Sequence, residues 1–341
     1  MELIVDIKKR LGDFTLESRF SAGAGVTGLL GASGCGKSLT LKCIAGVERP
    51  DEGHIELDGR VLFDSDKRVD LPPQKRQVGY LFQNYALFPN MTVEQNIAAG
   101  GEAGGRAEAF GRTQCLNRLP RQISGGQQQR TALARILASR PLALLLDEPF
   151  SSLDSYMKWQ IEMDLMGRLD QFGGPVLLVT HSRDEVCRQC RRVCVMDQGR
   201  SQPMQSVEQL LRSPQTLSAC RLSGCENLSP IRLEENGSLT ALDWGLTLRR
   251  TGPLPQGAAY LGVRAGQLCL ADSPGEDRFL CRVLRRVAGQ GADTLLLRPE
   301  GAGENAVPLR LEVPAGAERG VEAGAEVWVC LPERARLFLR E

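Results

Sequence analysis

The stretch GASGCGKS, residues 31 to 38, constrains this chain more than any other, because it follows directly on the apolar run from Val26 to Leu30. Glycines 31, 34 and 36 let the backbone curl until successive N–H groups point inward, and a helix opening near Gly36 adds its partial positive end. The spacing G-x-x-x-x-G-K-[ST] between a strand and a helix is that of a phosphate-binding loop. Gly31, Ser33, Gly34, Cys35, Gly36, Lys37, Ser38 and Leu39 are therefore expected to form the cradle. Lys37 would reach the terminal phosphates and Ser38 would offer its hydroxyl to Mg²⁺.

A second apolar run, LALLLDEP, ends on Asp147 and Glu148. Two adjacent carboxylates at the tip of a buried strand need water, metal or ligand, since an unpaired buried charge is too costly. Asp147 suits a place on Mg²⁺, and Glu148 suits the general base that polarises water in phosphoryl transfer.

Around these motifs, strand-length apolar runs alternate with helical patterns. Runs at 3–7, 26–30, 78–82, 142–147, 175–180 and 193–197 read as parallel strands buried on both faces, with helices near 36–46, 126–138, 154–171 and 182–191. The last helix has a capping-box start in Ser182 and Glu185. Residues 100 to 112, rich in glycine and alanine, read as a flexible connection. Beyond Pro214 long helical periodicity stops and short alternating stretches begin, which suits a small all-β barrel. The expected fold is α/β: a P-loop NTPase domain over 1–218 with a helical subdomain at about 84–140, then an OB-like barrel over 225–341.

With 42 Lys and Arg against 41 Asp and Glu, no global field draws the chain to nucleic acid or an anionic membrane. Apolar runs stay well short of the ~18 residues of a membrane span, and the charged start MELIVDIKKRLGD is unlike a signal peptide, so a cytosolic chain is expected. Eleven scattered cysteines fit reduced thiols. Cys187, Cys190 and Cys194 lack a fourth ligand for a structural zinc site and suit core packing.

Between the two motifs lies ISGGQQQR, residues 123 to 130. Ser124 stands where an N-cap belongs, and Gly125 and Gly126 open the next helix, making a second phosphate cradle without a lysine. With this segment the chain resembles the ATP-binding subunits of ABC transporters over residues 2 to 215. The resemblance implies that Gln83 is the glutamine that senses Mg²⁺ or water, that SSLD at 151 to 154 carries Asp154 across a dimer seam, and that His181 contacts the terminal phosphate. It further implies a head-to-tail homodimer in which Ser124, Gly125, Gly126 and Gln127 of one copy close over ATP and Mg²⁺ held by the other. Phe14 is the nearby aromatic candidate for stacking on adenine.

RVDLPPQKRQVGYLFQNYALFPNM and the β-rich tail resemble importers, and the N-terminal region together with LGVRAGQLCL is most similar to the molybdate and sulfate branch. The tail would be a regulatory or dimerisation barrel. The implied partners are a second copy, two transmembrane permease subunits and, indirectly, an extracytoplasmic binding protein, with no nucleic acid, and the implied place is the cytoplasmic face of the membrane. Molybdate or tungstate is the expected cargo; sulfate, thiosulfate, iron, sugar and polyamine are alternatives. A non-transport relative acting on ribosomes or nucleic acid is the rival of another class.

Overall fold

The computed structural model describes residues 1–101, 115–151, 155–235, 237–249, 252–303, 306–315 and 321–341. The glycine-rich connection from residue 102 onward, and residues 152–154 with Asp154, lie outside the described residues. Two compact units are present, Met1–Val207 and Glu208–Glu341.

The first unit is built on one twelve-stranded sheet. Its strands are β1 Glu2–Leu11, β2 Phe14–Gly23, β3 Gly25–Gly31, β4 Glu52–Leu57, β5 Arg60–Asp64, β6 Val69–Asp70, β7 Val78–Leu81, β8 Ala143–Asp147, β9 Pro175–Thr180, β10 Arg192–Asp197, β11 Arg200–Ser201 and β12 Gln205–Ser206. They run in the order β6-β5-β4-β1-β2-β11-β10-β3-β9-β8-β7, with β12 on β10. The block β10-β3-β9-β8-β7 is parallel throughout, and β8 and β9 are buried at every position, as near-continuous Leu and Val runs require.

The expectation of a parallel strand at 3–7 is corrected. β1 pairs antiparallel with both β2 and β4, and its outer half alternates exposed and buried residues. A hairpin explains this: Gly12, with φ 58°, turns the chain back on itself, and an antiparallel sheet needs only one apolar face.

The helices are α1 Lys37–Ala45, α2 Pro73–Arg76, α3 Val93–Ala98, α4 Gly125–Ala138, α5 Ser155–Leu169, α6 Arg183–Gln189, α7 Val207–Arg212 and α8 Leu217–Leu222. α1 ends on Gly46, whose φ of 78° suits a glycine C-cap. The buried Arg76 guanidinium finishes that end: Nη1 donates to Cys43 O at 2.7 Å and Ile44 O at 2.9 Å, Nε donates to Leu71 O at 2.7 Å, and Nη2 donates to Asp70 Oδ1 at 3.0 Å. Of the capping box expected on α6, only half is present. Ser182 Oγ accepts from Glu185 N at 3.4 Å, but the Glu185 carboxylate is taken by Thr180 Oγ1 at 2.5 Å and by Lys158 Nζ at 2.6 Å. Burial pushes the Cys190 and Cys194 thiols up to about 12, so both stay protonated and pack as small apolar groups.

Among the described residues the second unit has ten strands: β13 Asn227–Leu233, β14 Leu239–Ala241, β15 Leu246–Leu248, β16 Tyr260–Val263, β17 Cys269–Ala271, β18 Arg278–Val287, β19 Ala292–Pro299, β20 Leu309–Pro314, β21 Glu326–Cys330 and β22 Leu337–Leu339. They form two five-stranded sheets, β15-β14-β13-β16-β22 and β17-β21-β18-β19-β20. Leu239, Trp244 and Leu261 from one side and Val283, Leu297 and Val329 from the other share one core. The unit begins before the change in sequence character near 215 because its helical lead-in is tied to it. Arg264 donates to Leu211 O at 2.6 Å and Ser223 O at 2.7 Å, and Arg340 N donates to Gln215 O at 3.0 Å.

Candidate active site

Four neighbouring parallel strands, β3, β9, β8 and β7, deliver their C-terminal ends to one edge of the sheet. β3 runs into the glycine-rich loop, β9 into His181, β8 into Asp147 and Glu148, and β7 towards Gln83. Ligand sites of open α/β sheets form at such carboxyl ends.

The loop is held by contacts that exclude larger residues. A Cβ at Gly31 would stand 2.5 Å from both Cys35 Sγ and Met196 O, and Gly36, at φ 105°, would press its Cβ to 2.7 Å from Leu16 Cδ1 and 3.2 Å from Phe14 Cζ. Lys37 is 4 % exposed. Its ammonium donates to Gly31 O and Ala32 O, each at 2.8 Å. Phosphate oxygens are acceptors of the same kind and could replace these two carbonyls. Cys35 lies behind the loop, where burial pushes its thiol above the usual range against the opposing pull of Lys37.

Ser38 Oγ donates to Asp147 Oδ1 at 2.8 Å, and Tyr80 OH donates to Asp147 Oδ2 at 3.0 Å. Asp147 is 5 % exposed, so these two donors supply much of what water would otherwise give. Burial pushes the Tyr80 phenol well above its ordinary range, and the adjacent carboxylate pushes the same way. Tyr80 thus remains a donor at any physiological pH.

Glu148 adopts φ 44°, a left-handed conformation that costs a non-glycine residue roughly 1–2 kcal/mol. Such strain is typical of positions where a side chain must be aimed. Here the chain turns sharply off β8, and Glu148 Oε1 lies 3.4 Å from His181 Nδ1. Gln83 Nε2 donates to Ser151 Oγ at 3.4 Å, and Ser151 Oγ donates to Glu148 O at 3.0 Å. A chain of polar groups therefore joins β7, β8 and β9 next to the loop.

The ISGGQQ segment forms a separate structure. Ser124 caps α4 with a complete capping box: its Oγ accepts from Gln127 N at 3.4 Å while Gln127 Oε1 accepts from Ser124 N at 2.9 Å. Gly126 packs where a Cβ would meet Ile161 Cδ1 at 2.5 Å. Among the described residues no hydrogen bond or ion pair joins Ser124–Gln127 to the glycine-rich loop. Further along α4, Arg135 donates to Tyr85 O at 3.2 Å and Ala86 O at 2.9 Å and lies 5.1 Å over the Phe88 ring. It thereby anchors the segment that follows Gln83.

Tyr80 and Arg135 go unmarked in the sequence reading, and Ser151 enters it only as the first residue of SSLD. Only Tyr80 left a signal there, a hydroxyl inside the apolar run VGYLF. Phe14 lines a cleft of about 560 Å³ with Ser33, Gly34 and Cys35, so its ring borders the loop despite its distance from it in sequence.

A family model described as ABC transporter matches residues 17–151. Molybdenum import ATP-binding protein ModC of Paramagnetospirillum magneticum is 36% identical over 298 residues, 83% of this chain and 82% of that protein. The ModC of Rhizobium meliloti is 32% identical over 88% of this chain and 96% of its own length. The Fe(3+) ions import ATP-binding protein FbpC of Haemophilus influenzae is 39% identical over 61% of this chain and 62% of its own. The ATP-binding cassette MJ0796, solved as a post-hydrolysis dimer bound to ADP and Pi, superposes with a TM-score of 0.51 at 26% identity, covering 61% of this chain and 99% of that one. With that fold and those motifs at the strand ends, this chain is an ATPase and belongs to the family of ATP-binding subunits of ABC transporters.

Proposed function

We propose that the chain is the ATP-hydrolysing subunit of an importer for an oxyanion of the molybdate class, working as a homodimer on the cytoplasmic side of two permease subunits that receive cargo from an extracytoplasmic binding protein. The observation that carries the reading is the Ser38–Asp147 contact of 2.8 Å with Glu148 next in sequence and 3.4 Å from His181. In this reading the glycine-rich loop, from Gly31 to Leu39, binds the triphosphate, and the Phe14 ring stacks on adenine.

Hydroxyl and carboxylate oxygens are the ligands a hard cation takes, so Ser38 and Asp147, with Gln83, fit Mg²⁺. When bound, the ion supplies charge neutralisation on phosphate oxygens. Lys37 exchanges its two carbonyl partners for terminal phosphate oxygens. Glu148 accepts a proton from the attacking water, and His181 orients that carboxylate and meets the terminal phosphate. Ser124, Gly125, Gly126 and Gln127 of the second copy close the site, with Asp154 at the seam. Hydrolysis of the γ-phosphate link then releases the pair.

Cargo follows from extent of similarity. The matches to the ModC proteins of Paramagnetospirillum magneticum and Rhizobium meliloti cover 83% and 88% of the chain and so continue into the second unit. Other ModC matches, at 62% and 58%, stop about where the FbpC match does at 61%, so the two longer matches carry the cargo reading. The test is reconstitution in proteoliposomes with candidate permease subunits and a candidate binding protein from the same source. Molybdate loaded on the binding protein should raise ATP hydrolysis several-fold and Fe³⁺ should not. Stimulation by iron alone would overturn the cargo, and absence of hydrolysis in any condition would overturn the enzymatic roles.

A further inference from the structure

The second unit carries a pair of thiols that the nucleotide site does not use. Cys269 on β17 and Cys330 on β21 are direct partners in the antiparallel register. The next pair along, Leu270 and Val329, shows which face is which: Val329 is fully buried in the core, so alternation turns Cys269 and Cys330 outward. Cys269 is exposed and Cys330 half-buried. Across β21 on the other side, Arg278 of β18 is in register with Cys330. Burial pushes the Cys330 thiol up, the adjacent Cys269 and then Asp277 push the same way, and the Arg278 guanidinium opposes them only in part. Antiparallel partners have Cα atoms about 4.5–5.5 Å apart, inside the span of about 4.4–6.8 Å that a disulfide bridges.

We propose that Cys269 and Cys330 are a modification site: a dithiol that closes to a disulfide by exchange with a small-molecule disulfide. One thiolate attacks the S–S bond of the small molecule, forming a mixed disulfide and releasing one thiolate that takes up a proton. The second cysteine, losing its proton, attacks the protein sulfur of that mixed disulfide and expels the other half as thiol. Two electrons leave the protein, two small-molecule thiols form, and one protein S–S bond replaces two S–H bonds. The consequence is mechanical. Among the described residues β17 is an edge strand of three residues paired only with β21, and the bond staples it while closing a loop that contains β18, β19 and β20.

The experiment treats the full chain with oxidised glutathione at neutral pH and reads intact mass, peptide maps after thiol blocking, and thermal unfolding of the second unit. Closure predicts loss of about 2 Da, a cross-link joining the Cys269 and Cys330 peptides, reversal by dithiothreitol, and a rise of about 10 °C in the unfolding midpoint. C269S and C330S should each carry a glutathione adduct on the remaining member of the pair, located by peptide map apart from any on the exposed Cys187, with no cross-link and no rise, and with ATP hydrolysis unchanged. Full alkylation of both thiols after treatment, two separate adducts on the unmodified sequence, or a cross-link mapping instead to the buried pair Cys220 and Cys225 would each overturn the proposal.

Discussion

Replacing Tyr80 by Phe removes one atom and tests how the Asp147 carboxylate is held. The ring stays packed, 4.1 Å from the Phe82 centroid, so no cavity of consequence opens. What is lost is the 3.0 Å bond to Asp147 Oδ2 in a setting where Asp147 is 5 % exposed. A hydrogen bond to a charged group contributes about 1.5–3 kcal/mol, and a buried acceptor left without its donor costs about 1–3 kcal/mol. The expected loss is therefore about 2 kcal/mol, or about 4–8 °C in the midpoint of a unit of this size. Urea-dependent hydrogen exchange at the β7 and β8 amides would resolve the first unit from the second. In an Asp147→Asn background the acceptor is neutral and the same change should cost only about 1 kcal/mol, giving a coupling of about 1 kcal/mol between the two positions. A loss below about 0.5 kcal/mol, or an equal loss in both backgrounds, would refute the reasoning, because either result means that the phenol does not stabilise that charge.

Further outcomes can be stated. Glu148→Gln should keep ATP binding, lower hydrolysis at least about 100-fold, and accumulate an ATP-bound dimer on size-exclusion chromatography; turnover near the wild-type rate would remove Glu148 as the base. Lys37→Ala should weaken nucleotide affinity in equilibrium titration, and mixing it with Ser124→Arg chains should restore part of the activity if each site is shared between copies. Phe14→Ala should weaken ATP binding by about 1–2 kcal/mol while leaving inorganic triphosphate binding unchanged, the second measurement separating loss of stacking from damage to the loop. Arg76→Met removes the side-chain donor from the carbonyls of Ile44 and Leu71, leaves Cys43 O only its Gly46 N–H, takes one partner from Asp70, and should cost about 3–5 kcal/mol in urea unfolding of the first unit.

The parts of this site that reside in consecutive residues were legible before the fold was known. The strands at 26–30, 142–147 and 175–180 follow from apolar run length, and their carboxyl ends carry the loop, the two carboxylates and His181 because a parallel sheet aligns those ends. The antiparallel flank was not read. β1 has an apolar start like the central strands, and whether such a run pairs parallel or antiparallel is decided by the strands that come to lie beside it, here β2 and β4. Side-chain bonds across the sheet were equally hidden: nothing in VGYLF names Asp147 as the acceptor of Tyr80, and Ser151 gains its place only from the turn that Glu148 makes at φ 44°.

The division between legible and hidden also separates the two cradles. The glycine-rich loop has its whole chemistry within eight residues, so local backbone physics accounts for it. The ISGGQQ cradle is different, for the capping box of Ser124 and Gln127 would stabilise α4 whatever its role. Local structure therefore explains why this helix starts where it does, but not why two glycines follow its cap. Gly126 supplies half an answer, since a Cβ there would collide with Ile161. Gly125, in the first turn of α4, is exposed. An exposed glycine in the first turn of a capped helix leaves its backbone open to an approaching anion, and in the proposed reading that anion is the phosphate bound to a second copy.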